Sequence, residues 1–256
     1  MIKELFNLKG RTALVTGGSQ GIGRAIVLAL AEYGADVVIN FRSHKELAYE
    51  TAKEAEAFGV KAALWHFDIG RADVGEQWKK FAEENKCPAD ILVTNASAQV
   101  RAPWDEVTDE QFEAQINVNL RSTLKLVQSA TTHMREKGWG RILNIGSVQQ
   151  ARPHKDMCVY AATKSALVNL IKNLAPRLAK FNITINNLAP GAIATGRNEE
   201  ALSDGAYKKA VEGNIPLGYI GEPQDCAAAA LLLCSDAGRY ITGADYFVDG
   251  GLSLFS

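Results

Sequence analysis

The sequence predicts an α/β protein: a single domain with one mostly parallel, seven-stranded sheet and helices on both faces. Three observations carry this. Seven short β-prone runs alternate with segments of helical periodicity. No linker, repeat or low-complexity stretch divides the 256 residues. Hydrophobic residues make up 47%, enough to bury a sizeable core.

Residues 12–16 (TALVT) read as the first strand, broken by Gly17 and Gly18. Ile22, Ala25, Ile26, Ala29 and Leu30 recur at helical spacing over 22–33, and Gly34 follows where a left-handed C-terminal residue belongs. A strand covers 36–41, a helix over 45–58 stops at Gly59, and the next strand is 62–67. A helix around 74–84 leads to a strand at 90–94. Thr108 with Gln111 forms a capping-box start for a long helix to about residue 137. Strand 141–145, helix 159–180, strand 183–188, helix 223–235 and strand 244–248 complete the alternation. The stretch 191–221 has no clear strand and reads as a lid over a site, not as a domain boundary.

Composition excludes several functions. Lys plus Arg total 28 against 29 Asp plus Glu, giving a net charge of −1 and an isoelectric point near 6.4. That lacks the basic excess of a nucleic-acid binder. The longest apolar run, 226–234, has nine residues, whereas a membrane helix needs roughly 20. The N-terminus carries Lys3, Glu4 and Lys9 and no apolar leader. Cys87, Cys158, Cys226 and Cys234 form no C-x-x-C pair, so they read as reduced thiols, and the histidines are scattered. A cytoplasmic protein without a metal site is expected.

Thr16-Gly17-Gly18-Ser19-Gln20-Gly21-Ile22-Gly23 lies between the first strand and the first helix. Such a turn brings backbone N–H groups and a helix N-terminus up to a pyrophosphate. The spacing T-G-x-x-x-G-x-G resembles the short-chain dehydrogenase/reductase family. Asn95-Ala96, Asn119, Ser147, the run Tyr160-Ala161-Ala162-Thr163-Lys164 and Pro190-Gly191 follow in the family's order, so the resemblance covers roughly residues 9–251.

The resemblance implies a Rossmann-like, doubly wound fold and an NAD(P)-dependent oxidoreductase acting on carbonyls or secondary alcohols, assembled as a homotetramer or homodimer. It assigns catalysis to Asn119, Ser147, Tyr160 and Lys164. Cofactor contacts fall on Gly17, Ser19, Gln20, Gly21, Ile22, Gly23, Arg42 and Ser43. They continue with Asp68, Ile69, Asn95, Ala96, Tyr160, Lys164, Pro190, Gly191, Ile193 and Thr195. Asp68 has a second reading as a helix cap. An acidic residue at the end of the second strand would select NAD, and a nearby Arg accommodates a 2′-phosphate. Here the acid's place holds Phe41, followed by Arg42 and Ser43. NADP(H) is therefore expected as the preferred cofactor, with NAD(H) possible.

Tyr160 and Lys164 stand four apart on a helix and share a face. A tyrosine, with its ordinary pKa about 10, exchanges protons poorly near neutrality. A lysine ammonium nearby favours the phenolate and brings the hydroxyl toward useful acid–base strength. The Ser147 hydroxyl would hold the substrate oxygen in the manner of an oxyanion donor. On the family pattern Lys164 also binds the nicotinamide ribose, and Asn119 holds a water in a proton relay.

Three departures stand out. Ser97 replaces the family's usual glycine, Pro176 falls inside the helix of Tyr160 and is expected to bend it near Lys172, and Cys158 reads as a small buried filler, with an oxidation-sensitive thiol as the alternative. Substrate contacts are expected from Ser147, Tyr160, Gln149, His154 and Met157, with Gln150 and Trp104 close by. The polar members suggest a sugar, polyol or hydroxy acid. A 3-oxoacyl-[acyl-carrier-protein] reductase is the alternative, with Arg135, Lys137 and Arg177 near the family's basic docking positions, Gly138 and Pro176. A catalytically idle NADPH-binding regulator is a third reading.

Overall fold

Short apolar strands that must be buried on both faces need crossover helices between them, and the chain supplies at least one between each strand and the next. The computed structural model describes residues 1–196, 198 and 203–254. In chain order the elements begin β1 (Thr12–Thr16), α1 (Gly21–Glu32), β2 (Asp36–Phe41), α2 (Lys45–Glu56) and β3 (Ala62–His66). They continue with α3 (Val74–Glu84), β4 (Ile91–Thr94), α4 (Asp109–Gln115), α5 (Ser122–Lys137) and β5 (Gly140–Ile145). The last are α6 (Cys158–Ala179), β6 (Ile183–Pro190), α7 (Gly205–Gly213), α8 (Pro223–Cys234) and β7 (Asp245–Val248).

The seven strands form one sheet in the order β3-β2-β1-β4-β5-β6-β7, and every pairing is parallel. Period-two alternation divides the core. Ala13, Val15, Val37, Ile39, Ile91 and Val93 pack with α1 and α8, through Ile26, Leu30, Ala230 and Leu231. Leu14, Val38, Leu92 and Ile142 pack with α3, α5 and α6, through Trp78, Leu126, Met134 and Ile171. Each fully buried aliphatic or aromatic side chain contributes about 1.5–3 kcal/mol. Both layers therefore hold the strand ends rigidly. Strand order reverses between β1 and β4, where an open α/β sheet forms its ligand crevice.

The expected helix over 108–137 is split. Thr108 caps α4 with the capping box, but a π-helical turn, Ile116–Arg121, separates α4 from α5. The helix α6 runs unbroken through Pro176, which lies on an exposed position near its end. The stretch 191–221 is closed at its base. Ile193 bridges Gly221, with Ala194 N donating to Gly221 O at 2.8 Å and Gly221 N donating to Ala192 O at 3.0 Å. It contains α7, while Arg197 and residues 199–202 lie outside the described residues. Among the described residues no helix is long and apolar enough to cross a membrane.

Candidate active site

The carboxyl ends of the strands open onto one cleft, and the glycine turn forms its floor. Gly17 and Gly21 hold left-handed backbone at φ 63° and 55°, which glycine adopts without steric cost. At Gly23 the requirement is space, since a Cβ would lie 2.2 Å from the Gly17 carbonyl oxygen. The turn is pinned from β4. Thr16 Oγ1 accepts from Asn95 N (2.9 Å) and Ala96 N (3.1 Å). The Asn95 amide donates back to Thr16 O (2.9 Å) and Gly17 O (3.1 Å). At the start of α1, Gln20 makes no side-chain cap bond, so the first N–H groups and the helix dipole suit an anion. This geometry suits a bound anion.

One end of the cleft lies past β2 and β3. Phe41 is buried and stacks on His66, with ring centroids 5.0 Å apart. Asn40 ties the two strand ends together by donating to Trp65 O (3.1 Å) and Phe67 O (3.0 Å). Arg42, Ser43, His44 and Asp68 line the rim. Arg42 is 69% exposed and sits 3.7 Å from the Asp68 carboxylate. Asp68 also accepts from Gly70 N at 2.9 Å, so it fixes its own turn while facing the cleft. An exposed pair of this kind is weakly held, which leaves the guanidinium available to a phosphate.

The other part of the cleft gathers Ser147, Tyr160 and Lys164. Tyr160 and Lys164 are 6% and 3% exposed. The Lys164 ammonium lies 5.5 Å from the Tyr160 ring centroid and donates to Ile145 O at 2.7 Å. Ser147 stands two residues past the end of β5 and caps a short 3₁₀ turn, Val148–Gln150, with its Oγ accepting from Gln149 N at 3.2 Å. That bond leaves the hydroxyl proton to be donated. Asn119 reaches the loop after β4. Its Oδ1 accepts from Ala98 N (2.8 Å), and its Nδ2 donates to Ala98 O (2.9 Å) and Thr163 Oγ1 (3.0 Å). A proton donor, an adjacent cation and a hydroxyl thus meet beside a dinucleotide cradle, the arrangement that carbonyl–alcohol interconversion requires.

Known proteins place this arrangement. Residues 17–253 match the family model described as enoyl-(acyl carrier protein) reductase. The 3beta-hydroxysteroid dehydrogenase 1 of Eggerthella lenta is 37% identical over 250 residues, covering 97% of this chain and 96% of that protein. The chain belongs to the short-chain dehydrogenase/reductase family. The gluconate 5-dehydrogenase of Gluconobacter oxydans is 35% identical, with 98% of both chains covered. Among solved structures, a gluconate 5-dehydrogenase from Burkholderia cenocepacia, in complex with NADP and tartrate, superposes with a TM-score of 0.92 at 35% identity over all of both chains. The protein is an oxidoreductase acting on CH–OH groups.

In this short-chain dehydrogenase/reductase, every residue expected to touch cofactor lines the one cleft, from Gly17 to Thr195. The residues expected at the substrate divide. Ser147 and Tyr160 face that cleft, whereas Gln149 and His154 line a neighbouring hollow beside α6. Gln149 Oε1 accepts from His154 N at 2.6 Å, and His154 Nδ1 accepts from Asp156 N at 3.1 Å. Those groups therefore hold their own loop. Met157 is buried, and Trp104 is 76% exposed away from the cleft lining. Cys158 is exposed at the first residue of α6, a correction to the buried filler expected there. The thiols of Cys226 and Cys234 are buried instead, and desolvation pushes each up to about 12.

Sequence reasoning missed His44, Gln99, Val118 and Asn198 in the lining. For His44 a signal was available: in this fold residues immediately beyond strand ends form the crevice. The sequence does not single out the other three. Ser97, where the family usually has glycine, lines the cleft, and Asn119 fixes the backbone of the next residue, Ala98. Replacing Gly23 tests the cradle. Gly23→Ala is expected to lose about 1–3 kcal/mol of stability by overpacking and to weaken dinucleotide binding more than tenfold in a fluorescence titration. Gly205→Ala is the control, since a Cβ there meets nothing within 4 Å.

Proposed function

We propose that the protein is an NADP(H)-dependent dehydrogenase/reductase of a small polar carbonyl or secondary alcohol, of the sugar-acid, polyol or hydroxy-acid class. The observation that carries this reading is the single cleft in which Ser147, Tyr160 and Lys164 stand beside the glycine cradle, with polar Ser97, Gln99 and Asn198 in the same lining. The gluconate 5-dehydrogenases among its relatives support the substrate class, and the NADP and tartrate of the Burkholderia structure support both halves of the proposal. A steroid, the substrate class in the name of the Eggerthella relative, calls for an apolar wall instead.

When bound, NADP(H) supplies or accepts the hydride. The chain's own groups handle the oxygen. Ser147 donates a hydrogen bond from its hydroxyl to the carbonyl oxygen and orients it. Tyr160 gives its phenolic proton to that oxygen as negative charge develops, and takes one back in the reverse direction. Lys164, which donates to Ile145 O, stabilises the phenolate and would also hold the nicotinamide ribose. Asn119 holds the loop after β4 and the start of α6 in one geometry and, in this proposal, supports a water-mediated proton relay. Arg42 and Ser43 would meet the 2′-phosphate, and the segment 191–221, from which Ile193, Thr195, Gly196 and Asn198 line the cleft, would serve as a lid over the substrate.

An acyl-carrier substrate is disfavoured by the basic residues available to dock it. Lys137 is paired with Asp90 at 2.6 Å, and the Arg135 guanidinium lies over Phe181 at 5.1 Å. An idle NADPH-binding regulator is disfavoured by the presence of all three chemical groups in one cleft. The proposal includes a cytoplasmic homotetramer or homodimer, and light scattering giving a monomer overturns the assembly. Tyr160→Phe is expected to lower kcat at least a hundredfold while NADPH affinity stays within about threefold, read by NADPH consumption on keto-sugars and keto-acids. Near-wild-type turnover in that variant sinks the mechanism. Arg42→Ala is expected to reduce the NADP/NAD ratio of kcat/KM at least tenfold, and an unchanged ratio rejects Arg42 as the selector.

A further inference from the structure

Beneath the site runs a buried chain of amides that ends on one carboxylate. Thr94, Asn144, Asn187 and Asp245 are register partners across β4, β5, β6 and β7. Register partners project from the same face of a sheet. Leu92, Ile142 and Ile185, two residues earlier on three of these strands, belong to the core layer packed by α6, so the row lies on that side. Asn144 and Asn187 are 2% and 0% exposed. Asparagine is a poor strand former, and burying its amide costs stability unless every polar atom finds a partner. Here each does.

The bonds form a directed chain. Thr94 Oγ1 donates to Asn144 Oδ1 at 3.0 Å, and Asn144 Nδ2 donates to Asn187 Oδ1 at 2.6 Å. Asn187 Nδ2 donates to Asp245 Oδ1 at 2.7 Å and to Gln150 Oε1 at 3.1 Å. Gln150 Nε2 donates to both Asp245 oxygens, at 2.7 and 2.8 Å. Gln150 Oε1 then accepts from Ser147 N at 3.4 Å. A carboxylate only accepts, so it forces both neighbouring amides to turn their NH₂ groups toward it. Their carbonyl oxygens must point the other way, one to the Ser147 backbone and one to Asn144. Asp245 is the only ionisable member of the chain. The network also presses on the residue before Ser147: a Cβ at Gly146 would lie 2.6 Å from both Asn187 Nδ2 and Gln150 Oε1.

We propose that Asp245 and Gln150 are positioning residues for the Ser147 hydroxyl. Asp245 orients the Gln150 amide, Gln150 fixes the 3₁₀ turn that Ser147 caps, and Gln149 N of that turn holds Ser147 Oγ. This rests on the role given to Ser147 above. Displacement of a reacting group by about 1 Å costs up to a hundredfold in rate, so loss of either residue lowers turnover without touching the dinucleotide cradle.

The test measures kcat and the Kd for NADPH of wild type, Asp245→Asn, Gln150→Met and the exchanged pair Asp245→Asn with Gln150→Glu, which returns a carboxylate to the junction. Each single variant is expected to lose at least tenfold in kcat with Kd within twofold, and the exchanged pair to regain most of the loss. A Gln150→Met kcat within twofold of wild type overturns the proposal, whether or not Asp245→Asn folds. So does a Kd that weakens in parallel with kcat, or a folded exchanged pair that regains nothing. Each enzyme is assayed with a sugar acid and with an activated α-diketone. Wild-type turnover of the diketone alone rejects the substrate class and still tests the network.

Discussion

The four hydrogen bonds between the Thr16–Gly17 segment and Asn95–Ala96 hold the point on which the rest of the site is built. They join β1 to β4 where the strand order reverses, and there adjacent crossovers leave toward opposite faces of the sheet. A cleft opens there because no crossover covers it. Open backbone is costly unless its polar groups are satisfied. The Asn95 side chain does this for Thr16 and Gly17, and it leaves the N-terminus of α1 uncapped for a ligand. The same junction carries Gly23 so close to Gly17 that only hydrogen fits between them. Cradle and sheet are thus one rigid unit, and the rigidity comes from the strand cores on either side.

That rigidity explains why a proton-transferring pair can be set on a helix. The α6 axis is fixed by Ile171, Ala175 and Leu178 packed in the sheet's second core layer. Lys164 donates to a strand carbonyl, Ile145 O. A strand-end carbonyl does not titrate and barely moves.

Much of this was legible in the sequence, and the reasons are local. Strand and helix periods repeat within a few residues, and the glycine turn is contiguous. The spacings from Ser147 to Tyr160 and to Lys164 fall on two neighbouring elements, β5's end and α6. Side-chain direction in loops was not legible. Gln149 and His154 turn away from the cleft because they bond to each other's segment five residues apart, which no period encodes. The amide row was hidden for a different reason. Its partners stand 50, 43 and 58 residues apart, brought together by the strand register, and Gln150 and Asp245 are 95 apart, joined through the turn that follows β5.

The π turn shows the same limit at shorter range. One additional residue per turn leaves the apolar pattern of a long helix nearly unchanged, so 108–137 reads as one helix. Yet the widened turn decides where Asn119 points. In an α-helix, with 3.6 residues per turn, a one-residue shift rotates a side chain by about 100°. Asn119 would then lose Ala98 and Thr163 together. The loosened carbonyls are not left bare: Ser122 Oγ donates to Val118 O at 2.5 Å and Thr123 Oγ1 to Asn119 O at 2.9 Å. Thr163 in turn donates to Tyr160 O at 2.7 Å. The irregular turn therefore connects the loop that follows β4 to the backbone of Tyr160 itself. Ala102 N also donates to Asp156 O at 3.0 Å, so the two sides are joined by backbone as well; a straight helix would be locally more stable but would lose the Asn119–Thr163 link, and such irregular turns are frequent at functional sites.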